Sequence, residues 1–418
     1  MKDLKHLIYF ENLLQDAHNE LVAQAVQEGD YALGYSCYYI PEVLLNLPGC
    51  FSSRLRAPRC TSTDVASYYM TNRTCPYARS LLERAIEGGY NYLNALLGAE
   101  CCATMERMEE HFFLINPVKN EKFFVTQIDP PMKGDETNLD YYKAQLKLKV
   151  VDKLHEEYGI DTSEKAMRRA IDDHNEISRI ITEIGNFRKA DNPSITGYEF
   201  HVIQLCSQVC PKDLILPMLK ETAKELKTRK PDKKSPFRCK VVLAGSENDD
   251  PEFTKLIEGC GAEVVCDRYC YGAVESRMPI EVKDGEKPLT AIARHYLETS
   301  NCPRFMPQDI MRERKQRMQE ESDACIVLPG GIGTLEEFFE ILTLKQLGRD
   351  DRAIVLLNTL GAFDAMLRML EELAERRFMS KNCLELYFVA GTPEQAMEYL
   401  AGYVPQKGSI RRLEDYNK

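Results

Sequence analysis

From Cys325 to Glu337 the chain reads Cys-Ile-Val-Leu-Pro-Gly-Gly-Ile-Gly-Thr-Leu-Glu-Glu, a stretch whose residue types could hold an anion. Cys325 to Leu328 is an apolar run suited to a buried parallel strand. Leu335, Phe338, Phe339, Leu342 and Leu347 then recur at helical spacing, predicting a helix from Thr334 to Leu347. Between them Pro329, Gly330, Gly331 and Gly333 make a tight turn. Glycines let a backbone approach a ligand closely, and a helix N-terminus offers N–H groups and a positive dipole end, so the order strand, turn, helix reads as a phosphate cradle. The spacing is neither GxGxxG nor Walker A. Thr334 and Glu337 also fit a capping box, which needs no ligand. Both readings are open at this level.

Thiols are the second reactive set. The chain has 15 cysteines and no tryptophan. Cys75 precedes an amphipathic helix expected over Tyr77 to Glu87, and Glu100-Cys101-Cys102 follows a short apolar strand expected over Asn94 to Ala99. In open parallel sheets ligands bind outside the C-terminal ends of the strands, which makes Cys75 and Cys102 candidates for one crevice. Two unrelated loop thiols would show the same spacing. No CxxC pair occurs, so a zinc ribbon is not indicated. Cys239, Cys260 and Cys266 lie in or beside apolar segments, where a cysteine behaves as a small hydrophobe.

These groups need elements to position them. With 418 residues, 44% hydrophobic and 28% charged, the chain suits two globular domains. Tyr9 to Glu28 has the spacing of one helix, and Tyr31 to Cys37 reads as a strand. Strand and helix then alternate, which argues for parallel sheets with helices on their faces. Tyr141 to Tyr158 and Ser163 to Arg188 are long charged helical patterns, and Thr162 or Ser163 is placed to cap the second. A helix over Asp213 to Lys227 runs into the Pro- and Lys-rich stretch Arg229 to Pro236, the best linker. Beyond it, Cys239 to Ala244, Asp250 to Cys260 and Ala262 to Cys266 make a βαβ start. The expected fold is α/β: two doubly wound, Rossmann-like parallel-sheet domains, residues 1–230 and 236–418, with a helical insertion between them.

Net charge is −11, which argues against nonspecific nucleic-acid binding. No apolar run approaches the roughly 20 residues of a membrane span. Met1 to Glu11 lacks the apolar core and cleavage site of a signal peptide, so a cytoplasmic location is expected, with cysteines as thiols or metal ligands before disulfides.

Two resemblances divide the chain. Gly34 to Leu55, with Tyr39-Ile-Pro-Glu42, resembles the opening of the 2-hydroxyacyl-CoA dehydratase family (the D component and its benzoyl-CoA reductase relatives). Cys75-Pro-Tyr-Ala-Arg-Ser80 and Cys102-Ala-Thr-Met-Glu-Arg107 fall on that family's first two cluster-cysteine segments, although Ala103 stands where an Asp is usual. The likeness continues through Tyr141 to Lys189, Asn192 to Gly197, Lys240 to Gly245, Gly261 to Val265 and Pro288 to Arg294, covering roughly Leu7 to Pro303. The remainder resembles the LOG family of cytokinin riboside monophosphate phosphoribohydrolases, once labelled lysine decarboxylases. Pro329-Gly-Gly-x-Gly-Thr-x-x-Glu337 carries its signature, and Met311 to Met318, with Arg314 and Lys315, matches its preceding helix. Ala353 to Asn358, Phe363-Asp364 and Val389 to Glu394 extend the match over roughly Gln308 to Tyr403. This is only the second half of that family's fold.

The first resemblance implies a 2-hydroxyacyl-CoA dehydratase-like subunit that eliminates water from an acyl-CoA with a [4Fe-4S] cluster. Cys75 and Cys102 would be ligands, and a third would come from Cys37, Cys101, Cys270 or Cys325, since the family's third cysteine falls near Gly330-Gly331 here. It also implies a related partner subunit and an ATP-dependent activator. The second implies cleavage of the N-glycosidic bond of a nucleoside 5′-monophosphate by a dimer. There Gly330, Gly331, Gly333 and Thr334 would hold the phosphate, with Arg314 and Glu337 catalytic and Lys315 supporting. Each pattern lacks part of its site, so a non-catalytic protein that binds a nucleotide or acyl-CoA is the third expectation.

Overall fold

Parallel strands account for both sheets of the protein. In the computed structural model, which describes residues 1–131, 135–232, 237–244, 248–269, 278–299 and 322–405, the first sheet contains β1 (Tyr31–Tyr35), β2 (Cys50–Arg54), β3 (Ala95–Ala99) and β4 (Phe124–Ile128) in the order β2-β1-β3-β4. The second contains β5 (Cys239–Ala244), β6 (Ala262–Arg268), β7 (Ala324–Val327), β8 (Ala353–Leu357) and β9 (Phe388–Ala390) in the order β6-β5-β7-β8-β9. Every pairing is parallel, so the α/β expectation holds. Both sheets start beside their second strand and reverse direction at β1/β3 and at β5/β7, a doubly wound order.

The chain divides into two units. The first comprises Met1–Asn186, Val202–Arg229 and Val274–Ile310, and the second Phe187–His201, Lys230–Ala273 and Met311–Lys418. One break falls between Arg229 and Lys230. In addition, Phe187–His201 belongs with the second unit, and Val274–Ile310 returns to the first. The Pro288–Glu298 helix packs there against the Glu136–Leu146 and Glu164–Asn186 helices.

The central strands β3 and β8 are buried along their whole length, as expected of parallel strands covered on both faces. Ala32, Leu96, Leu81, Leu82 and Phe112 form the core under one face of the first sheet, and Leu33, Leu97, Tyr142 and Tyr296 the core under the other. The second sheet is likewise sandwiched, with Val241, Ile326 and Val355 on one side and Val327, Phe338 and Leu356 on the other.

Several helices depart from their expected form. Tyr9 to Glu28 is two helices, Leu7–Leu13 and Glu20–Glu28, because the Asn19 side chain accepts bonds from the Leu21 and Val22 amides and starts a new one. After β1 the chain makes a 3-10 turn, Glu42–Leu45. Ser163 caps the Glu164–Asn186 helix, its Oγ accepting from the Ala166 amide.

Glu109, on the Ala103–Ile115 helix, is fully buried. Its carboxylate accepts from Ser36 Oγ at 2.8 Å and Gln127 Nε2 at 2.9 Å, which holds it over Gly98 of β3. A Cβ at Gly98 would stand 1.8 Å from Glu109 Oε2. Gly98→Ala is therefore expected to destabilise the protein by about 2 kcal/mol through overpacking, read as a lower urea midpoint. An unchanged midpoint would show that this carboxyl can swing away.

Candidate functional site

In a doubly wound sheet the crevice lies outside the C-terminal strand ends where the order reverses. In the first unit this is the gap between the segments following β1 and β3. Cys37 stands two residues past β1, and Cys101 and Cys102 two and three residues past β3. In the second unit it is the gap after β5 and β7, and Pro329-Gly330-Gly331 follows β7. Each unit thus carries one motif singled out in the sequence at its own reversal.

The first unit's β1 segment leads to a polar group that links three parts of the chain. Glu42 Oε1 lies 3.0 Å from His174 Nδ1, and its Oε2 accepts from Lys212 Nζ at 3.0 Å, Ser52 Oγ at 3.1 Å and Asn46 Nδ2 at 3.2 Å. His174 Nε2 lies 3.4 Å from the Met278 carbonyl. The side chains of Glu42, His174 and Lys212 are 18%, 7% and 11% exposed. Burial pushes the Glu42 carboxyl pKa up, but the Lys212 charge and the His174 hydrogen bond together outweigh it and hold the group well below the usual carboxylate range. These residues line a cavity of about 30 Å³ together with Arg54, Tyr38 and Tyr296. It has room for a water or two, or for a hydroxyl.

His174, Lys212 and Arg54 were not among the residues singled out by sequence. Glu42 was legible only as part of Ile-Pro-Glu. The other two lie 132 and 170 positions further along, where each reads as an ordinary helix residue.

Cys75 and Cys102 are both N-cap residues, of the Pro76–Ile86 and Ala103–Ile115 helices. These helices are crossovers of the same parallel sheet and pack against each other, so both begin at its C-terminal edge. Cys75 is half-buried and Cys102 exposed, with its Sγ 3.4 Å from Thr104 Oγ1. Thiolates are the donors an iron–sulfur group takes. In donor type these two residues suit such a group. Of the third-ligand candidates, Cys325 is buried inside β7 and its thiol is pushed up to about 12 by that burial. Cys270 lies outside the described residues. Cys37 and Cys101 are in mutual contact, with Sγ atoms 3.2 Å apart, closer than two thiolates on different irons of one cluster. At most one of them serves in this geometry.

In the second unit Gly331 is the N-cap of the Ile332–Gln346 helix, with φ −90° and ψ −158°. The helix thus begins two residues before the expected Thr334, and the capping box does not form. Thr334 is the third helical residue, and its amide bonds back to the Gly331 carbonyl at 3.0 Å. The two glycines differ in duty. A Cβ at Gly330 would meet Thr334 Oγ1 at 2.1 Å, whereas one at Gly331 would meet nothing within 4 Å. Gly330 serves the fold, and Gly331 borders open space. Thr334 and Glu337 are both buried. Gly333 lies in the first turn of the helix. Carboxylate oxygens of Glu336, Glu337 and Glu340 lie within 4.8 Å of one another. Lys345 anchors the far end of the helix, donating to the Arg352 carbonyl at 2.5 Å and to Tyr403 Oη at 2.9 Å. Arg314 and Lys315 lie outside the described residues. Among the described residues no helix is long and apolar enough to cross a membrane.

A family model described as 2-hydroxyglutaryl-CoA dehydratase, D-component, matches residues 37–329, and one described as possible lysine decarboxylase matches residues 285–400. The two overlap across 285–329. A "Probable cytokinin riboside 5'-monophosphate phosphoribohydrolase" of Oryza sativa subsp. japonica is 37% identical over 100 residues, covering 24% of this chain and 40% of the relative. A "Cytokinin riboside 5'-monophosphate phosphoribohydrolase" of Arabidopsis thaliana is 38% identical over 100 residues, 24% of this chain and 46% of its own length. The chain spans less than half the length of these curated relatives.

Lys212 is the strongest partner holding Glu42 ionised. Lys212→Met should destabilise the protein at neutral pH by about 3 kcal/mol, because it leaves a largely buried carboxylate short of a counter-charge. Glu42 has a depressed folded pKa, so its contribution is present above the unfolded value and is lost as pH falls through the folded one. The difference between variant and wild type should therefore narrow as pH falls below 4.5, measured by urea unfolding at stepped pH.

Proposed function

The chain belongs to the 2-hydroxyglutaryl-CoA dehydratase D-component family, and from that premise we propose that it is a dehydratase-like subunit whose first unit acts on a 2-hydroxyacyl-CoA. The observation that supports this most is the Glu42–His174–Lys212 group opening onto a hydroxyl-sized cavity, on the same segment that carries Cys37 and follows β1. Cys75 and Cys102 would hold a [4Fe-4S] cluster, which when bound supplies an iron with a position open to the thioester carbonyl. Lys212 Nζ offers an N–H donor to a hydroxyl departing as water, while His174, placed between Glu42 and the Met278 carbonyl, holds Glu42 in position. Glu42 itself, held ionised by several donors, is a weak base and serves to orient. Tyr296 and Tyr38 help to wall the cavity from bulk water. By the same reading the chain works with a related subunit and an ATP-driven activator.

The test is anaerobic reconstitution followed by iron and sulfide analysis. Wild-type protein should carry stoichiometric iron with broad visible absorbance, and Cys75→Ser or Cys102→Ser should lose most of it. Iron-free wild-type protein after reconstitution would sink the proposal.

A second reading rests on the open space at Gly331. The turn from Gly330 through Gly333 to Thr334 would take the 5′-phosphate of a nucleoside monophosphate on the helix N-terminus, and Arg314 would pair with the phosphate or the base and ribose region. Glu337, with Glu336 and Glu340 beside it, concentrates negative charge suited to the oxocarbenium-like transition state of N-glycosidic cleavage. Gly331→Val should abolish AMP binding in calorimetry and leave the fold intact, since its backbone is extended and the space is empty. Glu337→Gln should keep AMP binding and lose release of free base. Binding of AMP or acyl-CoA by wild type with no turnover of either would leave the protein a binder. No AMP affinity at millimolar concentration would make the turn structural.

A further inference from the structure

Cys37 and Cys101 face each other across the order reversal of the first sheet. β1 and β3 are hydrogen-bonded neighbours with Tyr35 opposite Leu97. Both residues then leave the sheet on the same edge, and their Sγ atoms come to 3.2 Å. Each also packs against the buried cluster that contains Tyr142 and Leu97, so the hydrophobic core, and not a flexible loop, holds the two sulfurs together. Both are half-buried, which leaves them within reach of a small reagent. Cys206 and Cys210 make the contrast. They lie one helical turn apart, are fully buried, and bond to the Phe10 carbonyl and the Asn19 amide.

We propose that Cys37 and Cys101 are a redox-modification site, forming a reversible disulfide across the crevice by exchange with a low-molecular-weight disulfide such as oxidised glutathione. The thiolate of one cysteine attacks a sulfur of the small disulfide, expelling one small thiolate and leaving a mixed disulfide. The second cysteine gives up its proton and attacks the protein sulfur of that mixed disulfide, expelling the second small thiolate. One small disulfide is reduced to two thiols, and two cysteines are oxidised to one disulfide. The crosslink joins the segment carrying Glu42 to the one that carries Cys102 and begins the Ala103–Ile115 helix. It therefore fixes both lips of the crevice at once. The inference does not depend on a cluster at Cys75 and Cys102, whose labelling is read separately.

The full chain, reduced and then freed of reductant under nitrogen, is exposed to excess oxidised glutathione, alkylated, and mapped by mass spectrometry without reduction. The expected product is a peptide pair joined through Cys37 and Cys101, reversed by dithiothreitol. Cys75 and Cys102 are mapped in the same sample, and Cys206 and Cys210 should stay unlabelled until the protein is unfolded. Cys37→Ser should instead stop at a stable glutathione adduct on Cys101, because the resolving thiol is gone, and Cys101→Ser should stop at one on Cys37. The wild-type map stands alone should either variant fail to fold. Full alkylation of both cysteines after oxidation, a lasting glutathione adduct on wild type, or a crosslink from either residue to a different cysteine would overturn the proposal.

Discussion

A parallel strand can be joined to its neighbour only by a crossover that returns the chain to the starting edge. Every function considered for this protein follows from that constraint. Each crossover begins at the C-terminal edge of its sheet, so loops, turns and helix N-termini collect there and not at the other edge. Where the strand order reverses, the two connections leave in opposite directions and open a crevice. In the first unit that edge receives Cys37, Cys101, Cys102 and the segment leading to Glu42, and in the second it receives the Pro329 to Gly331 turn. The remainder of each unit is the sandwich of helices that makes a buried parallel sheet stable.

Two carboxylates of the first unit show how neighbours decide charge in that setting. Both are largely removed from water. Glu109 meets only neutral donors, Gln127 and Ser36, and burial raises its pKa to about 7 despite them, with Glu106 and Glu100 adding to the rise. Glu42 meets Lys212 and His174 and is held well below the ordinary range. Around neutral pH one is partly protonated and the other is an anion, as differing environments dictate. Glu42, the group that keeps its charge, lines its cavity together with Lys212 and His174.

The dehydratase match runs through the first unit and into the second as far as the turn after β7, and the other match covers the rest of the second sheet. The family matches overlap between residues 285 and 329, and β7 with its following turn begins at the end of that overlap. A turn built on Gly330 and Gly331 brings backbone N–H groups close to an anion, whereas a cysteine there would bring a thiolate. A Cβ at Gly330 would collide with Thr334, so the turn as built takes no side chain at that position.

Local periodicity and turn chemistry were legible in the sequence. Cys239 to Ala244 is a strand with the expected bounds, and the helix expected from Tyr77 to Glu87 runs from Pro76 to Ile86. The strand–turn–helix order around Pro329 and the thiols at the C-terminal edge were likewise readable from apolar runs and glycines. β2 and β4 were not. Cys50-Phe-Ser-Ser-Arg54 is fully buried yet largely polar, and its Ser53 and Ser52 hydroxyls pair with Tyr92 and Glu42 from elsewhere in the chain. Phe124 to Ile128 is a partly exposed edge strand with little apolar signal. The break at Asn19 and the early helix start at Gly331 turned on single side-chain and backbone bonds that periodicity does not register. Only the tertiary structure decided which strands are neighbours, which brought Cys37 to Cys101 and gathered His174 and Lys212 around Glu42. The physical reason is range. Helix and strand patterns are set by residues within a turn or two of each other, whereas strand order and the pairing of buried charges are set by which distant segments the closed core brings together.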